Sequence, residues 1–318
     1  MKKVITMLLT LILALSIVAC SGSGKGSGGS DSAENEENAA TEAPKTLAQE
    51  TTAVSLSFTP PEGYDTVNRH IEKKADGTII DKSFMYTFAD KSEIDIGYTT
   101  GKKITDEIPQ SYLDKAESVE YAGKPFSVIT EGKTIMAVCQ DGDAVYGIGY
   151  SFADKLDKDA FEKLMKGISI LDNDEAIETD DDLFAINYTL DKSLNQVSVS
   201  NSQTEKPDGT LVDKSLVWFF GKDKDNIDFR LMIKVYKNST VEKELPTDYR
   251  SEQVEIGGVT YTAIYDTDTS ESPFAYYTQQ GDDVYQIRNM GVSGSWSTTR
   301  SDESYKALKD LMNTVSFK

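Results

Sequence analysis

Residues 75–83 read ADGTIIDKS, and residues 207–215 read PDGTLVDKS. Outward from this pair, further blocks recur in the same order with a slowly growing offset. They are residues 94–96 and 227–229, 119–123 and 254–258, 142–146 and 281–285, and 164–170 and 311–317. Blocks in one order indicate an internal duplication, and their spacing is too long for a solenoid repeat. We therefore predict two homologous domains, 53–172 and 184–318, joined by an acidic segment at 173–183.

Apolar and polar residues mostly alternate within each copy, a period that is typical of β-strands. Phe84, Tyr86 and Phe88, for example, give one strand a more apolar face. Dipeptides that favour tight turns separate such runs and predict hairpins. These dipeptides are Asp76-Gly77, Asp141-Gly142, Gly257-Gly258 and Gly281-Asp282.

Near the end of each copy, the apolar period changes to that of a helix. We predict that the first of these helices begins after Asp157 and the second after Ser301 or Asp302, since Ser and Asp are favoured N-cap residues. A short strand is expected after each helix. Weaker helical patterns lie around residues 109–117 and 245–251.

These elements predict an α+β fold, in which each domain is a mainly antiparallel sheet of about six strands packed by its C-terminal helix. The order of elements, with PEGY at residues 61–64 before the first hairpin, resembles PsbP/Mog1-like proteins and small bacterial lipoproteins of the DcrB type. The resemblance implies two such domains in tandem. It also implies an accessory or binding role, because these families contain binding proteins more often than enzymes.

The N-terminus has the pattern of an exported protein. Lys2 and Lys3 precede an uncharged, apolar run that ends at Ala19, which is typical of a secretory signal peptide. A membrane-spanning helix needs about 20 apolar residues, and this run is shorter. Residues 17–20, IVAC, resemble the lipobox of bacterial lipoproteins. The resemblance implies cleavage of a signal peptide at 1–19 and a diacylglycerol anchor on the sulfur of Cys20.

Residues 20–52 are rich in Gly, Ser, Glu, Asn and Ala, with too few apolar side chains to offset the entropy of ordering them. A disordered tether is predicted, and about 25 such residues reach roughly 25–30 Å. Lys25 is its only base before Lys45, which argues against electrostatic attachment to lipid headgroups. We expect the lipid on Cys20 to hold the protein at the extracytoplasmic face of the cell membrane.

Composition and charge restrict the classes of partner that the chain can bind. The chain of 318 residues has a formal charge of −20, and removal of Lys2 and Lys3 with the leader makes it −22. Nucleic acid is an unsuitable partner for so acidic a chain, because Lys and Arg must displace counterions from phosphates. Lipidation of Cys20 leaves Cys139, the other cysteine, without a disulfide partner. Stability is therefore expected to come from packed cores.

The sequence contains no sharp catalytic motif: the nucleophile elbow, the Walker loop and the dinucleotide fingerprint are all missing. His70 is the single histidine, so a His-rich zinc site is excluded, and we expect His70 to be a surface residue on a strand. Cys139 is expected to be a core thiol. Paired carboxylates remain a possible route to hydrolysis.

A weak metal site is predicted at an oxygen-rich turn. Asp223, Asp225 and Asp228 crowd residues 222–228, and such oxygens can hold Ca²⁺. The spacing lacks the central Gly and the closing Glu of an EF-hand loop. The alternative is a solvated hairpin tip whose charge Lys222 and Lys224 partly neutralise.

A binding surface is the remaining hypothesis. The second copy has an insertion, GVSGSWSTTR at residues 291–300, and exposed Trp and Arg are favoured interface anchors. We predict a partner or ligand site at Trp296, Arg300 and Tyr276; the alternative for Trp296 is that it closes its own sheet. Tyr276 and Tyr277 are adjacent on a strand and point to opposite faces, so at most one is expected in a core.

Together these observations predict a lipid-anchored extracytoplasmic protein that is not an enzyme and binds an envelope partner protein or a small ligand. Two alternatives remain open. One is an envelope hydrolase that uses paired carboxylates about 5–10 Å apart. The other is a purely structural surface spacer.

Overall fold

The computed structural model describes residues 50–51, 56–59, 61–170, 185–223, 225–267, 270–292 and 299–318. The predicted signal peptide, Cys20, most of the tether, the acidic segment at 173–183 and Trp296 lie outside the described residues. No helix in the described ranges is long and apolar enough to cross a membrane.

The first half of the chain folds largely into strands. In order, it forms β1 (Glu50–Thr51), β2 (Leu56–Phe58), β3 (Thr66–Lys74), β4 (Ile79–Thr87), β5 (Glu93–Thr100), α1 (Ile104–Glu107), α2 (Gln110–Leu113), β6 (Glu117–Tyr121), β7 (Lys124–Glu131), β8 (Thr134–Asp141), β9 (Ala144–Ser151), α3 (Lys158–Lys166) and β10 (Ile168–Ile170).

The second half repeats this order with small differences. It forms β11 (Ile186–Asn187), β12 (Gln196–Glu205), β13 (Leu211–Asp223), β14 (Asn226–Tyr236), α4 (Val241–Glu244), β15 (Arg250–Ile256), β16 (Val259–Tyr265), β17 (Ala275–Gln280), β18 (Asp283–Asn289), α5 (Asp302–Met312) and β19 (Ser316–Phe317).

Most strands join one antiparallel sheet of 14 strands. Its order is β15-β16-β17-β18-β14-β13-β12-β3-β4-β5-β9-β8-β7-β6. The short strands form two further sheets, β1-β2-β10 and β11-β19. Of the described residues, 53% lie in strands and 13% in helices. The prediction of an α+β fold with two separate helix-packed sheets is therefore wrong: the fold is mainly β, and one sheet runs through both halves.

The two halves join where β3 pairs with β12, and we call this pairing the seam. Both strands occupy the same place in the repeat, so the strand order on one side of the seam mirrors the order on the other. His70 lies opposite Ser202. The offset of 132 residues that relates Asp76 to Asp208 also relates these two residues. An approximate two-fold relationship therefore passes through the seam at His70 and Ser202.

One face of the sheet carries the two main cores. In the first half, Phe84, Tyr86 and Ile96 pack with Phe161 and Met165 of α3. In the second half the corresponding core gathers around α5, and its members include Trp218, Leu231, Ile233, Leu308 and Leu311. Each helix buries one apolar stripe against its own half, as the helical period predicted.

The helix ends follow their capping residues. Asp157 accepts a 3.0 Å hydrogen bond from the amide of Ala160, and Ser301 accepts one of 3.2 Å from the amide of Ser304. Both predicted N-caps are confirmed, with Ser301 rather than Asp302 in the second copy. A short strand follows each helix, also as predicted.

Of the two weaker helical patterns, one contains a helix and the other does not. Helix α2 lies inside the predicted range 109–117, but residues 245–251 do not form a helix. Helix α4 ends before Leu245, whose backbone is extended, with ψ of 135°. Pro246 follows Leu245, and a residue that precedes proline is disfavoured in the helical region.

The predicted hairpin turns are confirmed. Gly77, Gly142, Gly257, Gly258 and Gly281 all have positive φ, between 59° and 89°, which glycine adopts without strain.

Candidate functional site

The sheet face opposite α3 and α5 carries polar side chains across its central strands, and we call this surface the polar face. Its members come from β3, β4 and β5 in the first half and from β12, β13, β14 and β18 in the second. They are Asn68, His70, Glu72, Asp81, Asp95, Ser198, Ser202, Thr204, Asp213, Arg230, Lys234 and Gln286. Buried polar groups cost free energy unless they are paired, so their partners decide what this face can do.

His70 sits at the centre of the polar face. It is 3% exposed, so the expectation of a surface histidine is wrong. Its Nδ1 lies 2.8 Å from Ser202 Oγ, and its Nε2 lies 3.6 Å from Asp81 Oδ1. Burial lowers the pKa of His70 to about 4. The imidazole is therefore neutral at physiological pH and holds the two halves together.

A second set of polar contacts crosses the seam beside His70. Asn68 Nδ2 donates a 2.9 Å hydrogen bond to Thr204 Oγ1, and Thr204 Oγ1 donates one of 3.2 Å to Asp213 Oδ1. The other oxygen of Asp213 lies 3.3 Å from Lys234 Nζ. These contacts form a row of polar groups that runs across β3, β12, β13 and β14, perpendicular to the strand direction.

The polar contacts continue towards β17. Lys234 Nζ lies 4.6 Å from the centre of the Tyr236 ring, and Tyr236 OH donates a 3.1 Å hydrogen bond to Gln286 Oε1. Gln286 Nε2 in turn donates to Tyr277 OH at 2.5 Å. Connected polar groups of this kind hold one strand register and disfavour others.

Glu72 and Arg230 are less completely satisfied. Glu72 is fully buried, and its Oε1 accepts a 2.6 Å hydrogen bond from Ser198 Oγ across the seam. Among the described residues, Glu72 Oε2 and Arg230 Nε are buried atoms without a hydrogen-bond partner. Burial lowers the pKa of Arg230, and the charge of Glu72 opposes that effect. The two groups are near enough to interact electrostatically.

Asp95 is a second buried carboxyl on this face. Burial, together with the nearby charge of Glu93, raises the pKa of Asp95 to about 7. Glu93 lies two residues earlier on β5, so both side chains point to the same face. The pKa of Glu93 is also raised, by burial. Within the described ranges Asp95 Oδ1 has no hydrogen-bond partner.

The sequence did not single out Glu72, Asp95 or Arg230. Asp95 lies between Ile94 and Ile96, and Arg230 lies between Phe229 and Leu231; that was the available signal, because a charge between apolar neighbours on a strand is either solvated or held at a special site. Glu72 carried no such signal, since β3 also contains Arg69, Lys73 and Lys74.

The predicted site residues are not assembled as a binding surface in the described structure. The Arg300 side chain is 0% exposed, so the premise of an exposed arginine is wrong. Tyr276 is buried in the core on the α5 face, where its ring meets that of Tyr261 edge-on at 6.1 Å. Trp296 lies outside the described residues. Tyr277 is also buried, which corrects the expectation that at most one of the adjacent tyrosines is in a core. Both are covered because both faces of β17 are packed.

Arg300 fixes the end of the insertion instead. Its Nη1 donates a 2.6 Å hydrogen bond to Asp266 Oδ1, and its Nε donates one of 2.9 Å to the carbonyl of Asn289. The guanidinium also lies 4.0 Å from the centre of the Phe274 ring. Tyr305 OH donates to the other oxygen of Asp266 at 2.5 Å. This contact set joins α5 to the sheet.

The described residues do not assemble the predicted calcium site. Asp223 Oδ1 accepts hydrogen bonds from the amides of Asp225 and Asn226, at 3.0 and 3.1 Å, and so closes its own turn. Asp225 and Asp228 are exposed. Nowhere in the described ranges do three His, Cys, Asp or Glu side chains converge in a way that could hold a metal ion.

Cys139 is a buried thiol in the first core, as predicted. Burial raises the pKa of Cys139, which keeps the thiol protonated and unreactive.

The part of the chain that the structure describes leaves both ends of the large sheet as edge strands. Strand β6 pairs only with β7, and β15 pairs only with β16, among the described residues. Strand β15 is the longer edge, and Ser251, Glu252, Gln253 and Glu255 along it are exposed. An edge strand presents unpaired backbone N–H and C=O groups to which another strand can add.

Comparisons with known proteins add little to this geometry. No family model and no curated protein match the chain. Among solved structures it is similar to MucB in complex with MucA(peri), to the Pseudomonas aeruginosa MucA/MucB complex and to MucB. Each is 8% identical over 80% of this chain and 93% of the other, with TM-scores of 0.19, 0.19 and 0.20. Likenesses this remote carry no argument about the fold, the site or the partner.

Proposed function

We propose that the protein is a membrane-anchored extracytoplasmic binding module without catalytic activity of its own. Its partner is an envelope protein, and an extended segment of that partner adds to the sheet as a strand beside β15. The anchor rests on the lipobox-like residues 17–20. The single observation that supports the binding mode is the free, exposed edge at β15.

Backbone hydrogen bonds supply affinity in this mode, and side chains along the edge select the partner. Glu252 and Glu255 are exposed on β15. Like charges opposite each other destabilise a strand pair, so the acids disfavour pairing with an acidic strand or with a second acidic edge. The partner segment is therefore expected to carry Lys or Arg.

The repeat offers a matched pair of variants for the test. Glu255 on β15 and Glu120 on β6 are equivalent residues, and both are exposed. The probe is an eight-residue peptide of alternating lysine and valine, with a glutamate–valine peptide as its control. Glu255→Lys is expected to weaken binding of the basic peptide several-fold, whereas Glu120→Lys leaves it unchanged.

Cross-linking in intact cells extends this test to the natural partner. A photo-reactive residue replaces Gln253 on β15 or Ser118 on β6, both of which are exposed. One specific adduct from position 253, lost when Glu255→Lys is added, is expected. Equal labelling from both positions, or peptide binding that ignores Glu255, would contradict the assignment to β15.

One observation favours a second candidate function, the envelope hydrolase. Glu93 and Asp95 lie two residues apart on one face of β5, the charge of Glu93 helps to raise the pKa of Asp95, and a pKa of about 7 suits Asp95 to act as a general acid. Hydrolysis of chromogenic glycosides by the wild type, abolished in Asp95→Asn, would support this function. Absence of turnover by the wild type across such a panel would rule it out for glycosides.

A further inference from the structure

The two edge strands β6 and β15 occupy the same place in the repeat, but they differ in one residue that faces the helices. Residues 119–121 of β6 read VEY, and the equivalent residues 254–256 of β15 read VEI. The first and third residues of each triplet pack against the main core of their own half, and we call this side of the sheet the core side. The glutamate between them points to the opposite side and is exposed in both strands.

Tyr121 closes the core side of β6. Its ring lies edge-on to that of Phe126, with 5.9 Å between the ring centres, and its hydroxyl donates a 2.5 Å hydrogen bond to Glu162 Oε1 on α3. Only 8% of Tyr121 is exposed. The tyrosine therefore fills the space between the edge of the sheet and α3, where side chains of an added strand would otherwise lie.

The same bridge between strand and helix cannot form at β15. Ile256 stands in the place of Tyr121 and has no hydroxyl, and Lys309 on α5 stands in the place of Glu162. Lys309 is exposed, and Val254 and Ile256 are partly exposed. Two apolar side chains at the border of the second half's core thus remain in contact with solvent, and we call them the apolar strip.

The rest of the core side of β15 is polar. Glu252 Oε1 accepts a hydrogen bond from Tyr265 OH, and Arg250 Nη1 donates one of 3.3 Å to the other oxygen of Glu252. The Arg250 guanidinium also lies 3.7 Å from the centre of the Tyr265 ring. These contacts confine the apolar strip to the C-terminal end of the strand.

We propose that the partner segment at β15 is amphipathic and carries an apolar–basic–apolar triplet opposite residues 254–256. This inference rests on the strand addition proposed above and names the chemistry of the partner. Residues opposite each other in a strand pair point to the same side of the sheet. The two apolar side chains therefore cover the apolar strip and extend the core, while the basic side chain lies beside Glu255. Strand β6 does not accept such a segment, because Tyr121 and Glu162 close its core side.

A pair of peptides tests the triplet on the wild-type protein. Calorimetric titration of the full chain compares the lysine–valine peptide with a lysine–threonine peptide of the same length. Threonine is β-branched like valine and equally suited to a strand, but its hydroxyl opposes burial. The lysine–threonine peptide is expected to bind about tenfold more weakly. Equal affinities would overturn the inference and leave strand addition intact, whereas no binding of either peptide would overturn both.

A double substitution tests the role of the missing bridge. Ile256→Tyr together with Lys309→Glu gives β15 the residues of the first half, and it is expected to weaken binding of the lysine–valine peptide about fivefold. Lys309→Glu alone is the control and should retain binding. It makes the surface more acidic, so charge alone would favour the basic peptide. Full affinity in a folded protein that carries both substitutions would overturn the inference.

Discussion

His70 Nδ1 lies 2.8 Å from Ser202 Oγ, and the two residues occupy the same position in the two copies of the repeat. The contact lies in the middle of the seam, on the polar face. Side chains therefore reinforce a junction that backbone hydrogen bonds already form. A substitution at His70 should affect the stability of both halves of the chain.

His70→Gln should reduce the loss of folding stability that the wild type shows as the pH falls. The pKa of His70 is near 6.5 when unfolded and about 4 when folded. The unfolded chain binds the proton more tightly, so the stability due to the neutral imidazole is complete above pH 6.5 and is lost as the pH falls towards 4. Denaturant unfolding should show a wild-type advantage that shrinks by about 3 kcal/mol between pH 7 and pH 4. Parallel curves for the two proteins would contradict the burial of a neutral histidine.

Asp95→Asn should reduce the loss of folding stability that the wild type shows as the pH rises, the opposite of the pH dependence predicted for His70→Gln. Burial raises the pKa of Asp95 from 3.8 to about 7. The stability due to the protonated carboxyl is complete below pH 3.8 and is lost as the pH rises through 7. The variant should therefore gain on the wild type by up to about 4 kcal/mol between pH 4 and pH 8, measured by urea unfolding.

A matched control for that measurement is Asp143→Asn, at an exposed turn between β8 and β9. Asp143 is exposed, so this substitution should change the free energy of unfolding by less than about 0.5 kcal/mol at pH 4 and at pH 8. If Asp95→Asn also showed a constant difference, the buried-carboxyl account would fail.

Thr204→Val should weaken the seam without changing side-chain shape. The substitution removes the hydroxyl that accepts from Asn68 and donates to Asp213. Both partners are left unsatisfied, and the free energy of unfolding should fall by about 1–3 kcal/mol. Thr260→Val, at an exposed position of β16, should change stability by less than about 0.5 kcal/mol. Equal effects of the two changes would show that the contacts across the seam contribute nothing.

Gly97→Ala should destabilise the sheet through a backbone clash. A Cβ at this position would lie 2.7 Å from the carbonyl oxygen of Lys82 and 2.7 Å from Ser83 Cβ, on the neighbouring strand β4. Overpacking of this kind costs about 1–3 kcal/mol, which thermal unfolding will detect. Gly167→Ala is the control, since its nearest atom would be at an ordinary 3.4 Å. A Gly97→Ala protein as stable as the Gly167→Ala protein would refute the close strand approach.

Cys20→Ser should release the protein from membranes. The substitution removes the sulfur that the lipobox-like sequence IVAC offers for lipidation. If the acyl chains attach the protein, as proposed, the chain that lacks them should move from the membrane to the soluble fraction. Cys139→Ser is the control for loss of a thiol. Membrane retention of the Cys20→Ser protein would argue against the lipid anchor.

Local structure was predictable where one residue type is required by the backbone. Gly77 and Gly142 have positive φ, and Asp157 caps a helix, so the turns and the closing helix followed from the sequence. The pairing of the two copies did not follow from the sequence. A strand at the edge of a sheet and a strand at a junction between copies show the same alternation of apolar and polar residues. The alternating serines Ser198, Ser200 and Ser202 suit a polar face, but they do not specify which strand lies beside them.

The candidate site was less predictable than the fold. Arg300 follows a Gly/Ser-rich loop, which suggested exposure, yet Asp266 lies close enough to bind it, and the two are 34 residues apart in sequence. Glu72 and Arg230 are likewise distant in sequence and come within range of an electrostatic interaction only because β3 and β12 pair. Tertiary pairing of this kind leaves no periodic signal in either strand.

The two-fold relationship at the seam also bears on how such a chain can evolve. In a symmetric dimer of identical subunits, a residue on the axis can meet only its own copy, so a histidine there would face a histidine. Covalent fusion removes that restriction, and here one position holds His70 while its counterpart holds Ser202. The same freedom permits an acid at Glu72 where the other copy has Thr204. An asymmetric set of polar contacts can then arise on a symmetric scaffold, which a homodimer encoded by a single-copy gene cannot achieve by mutation alone.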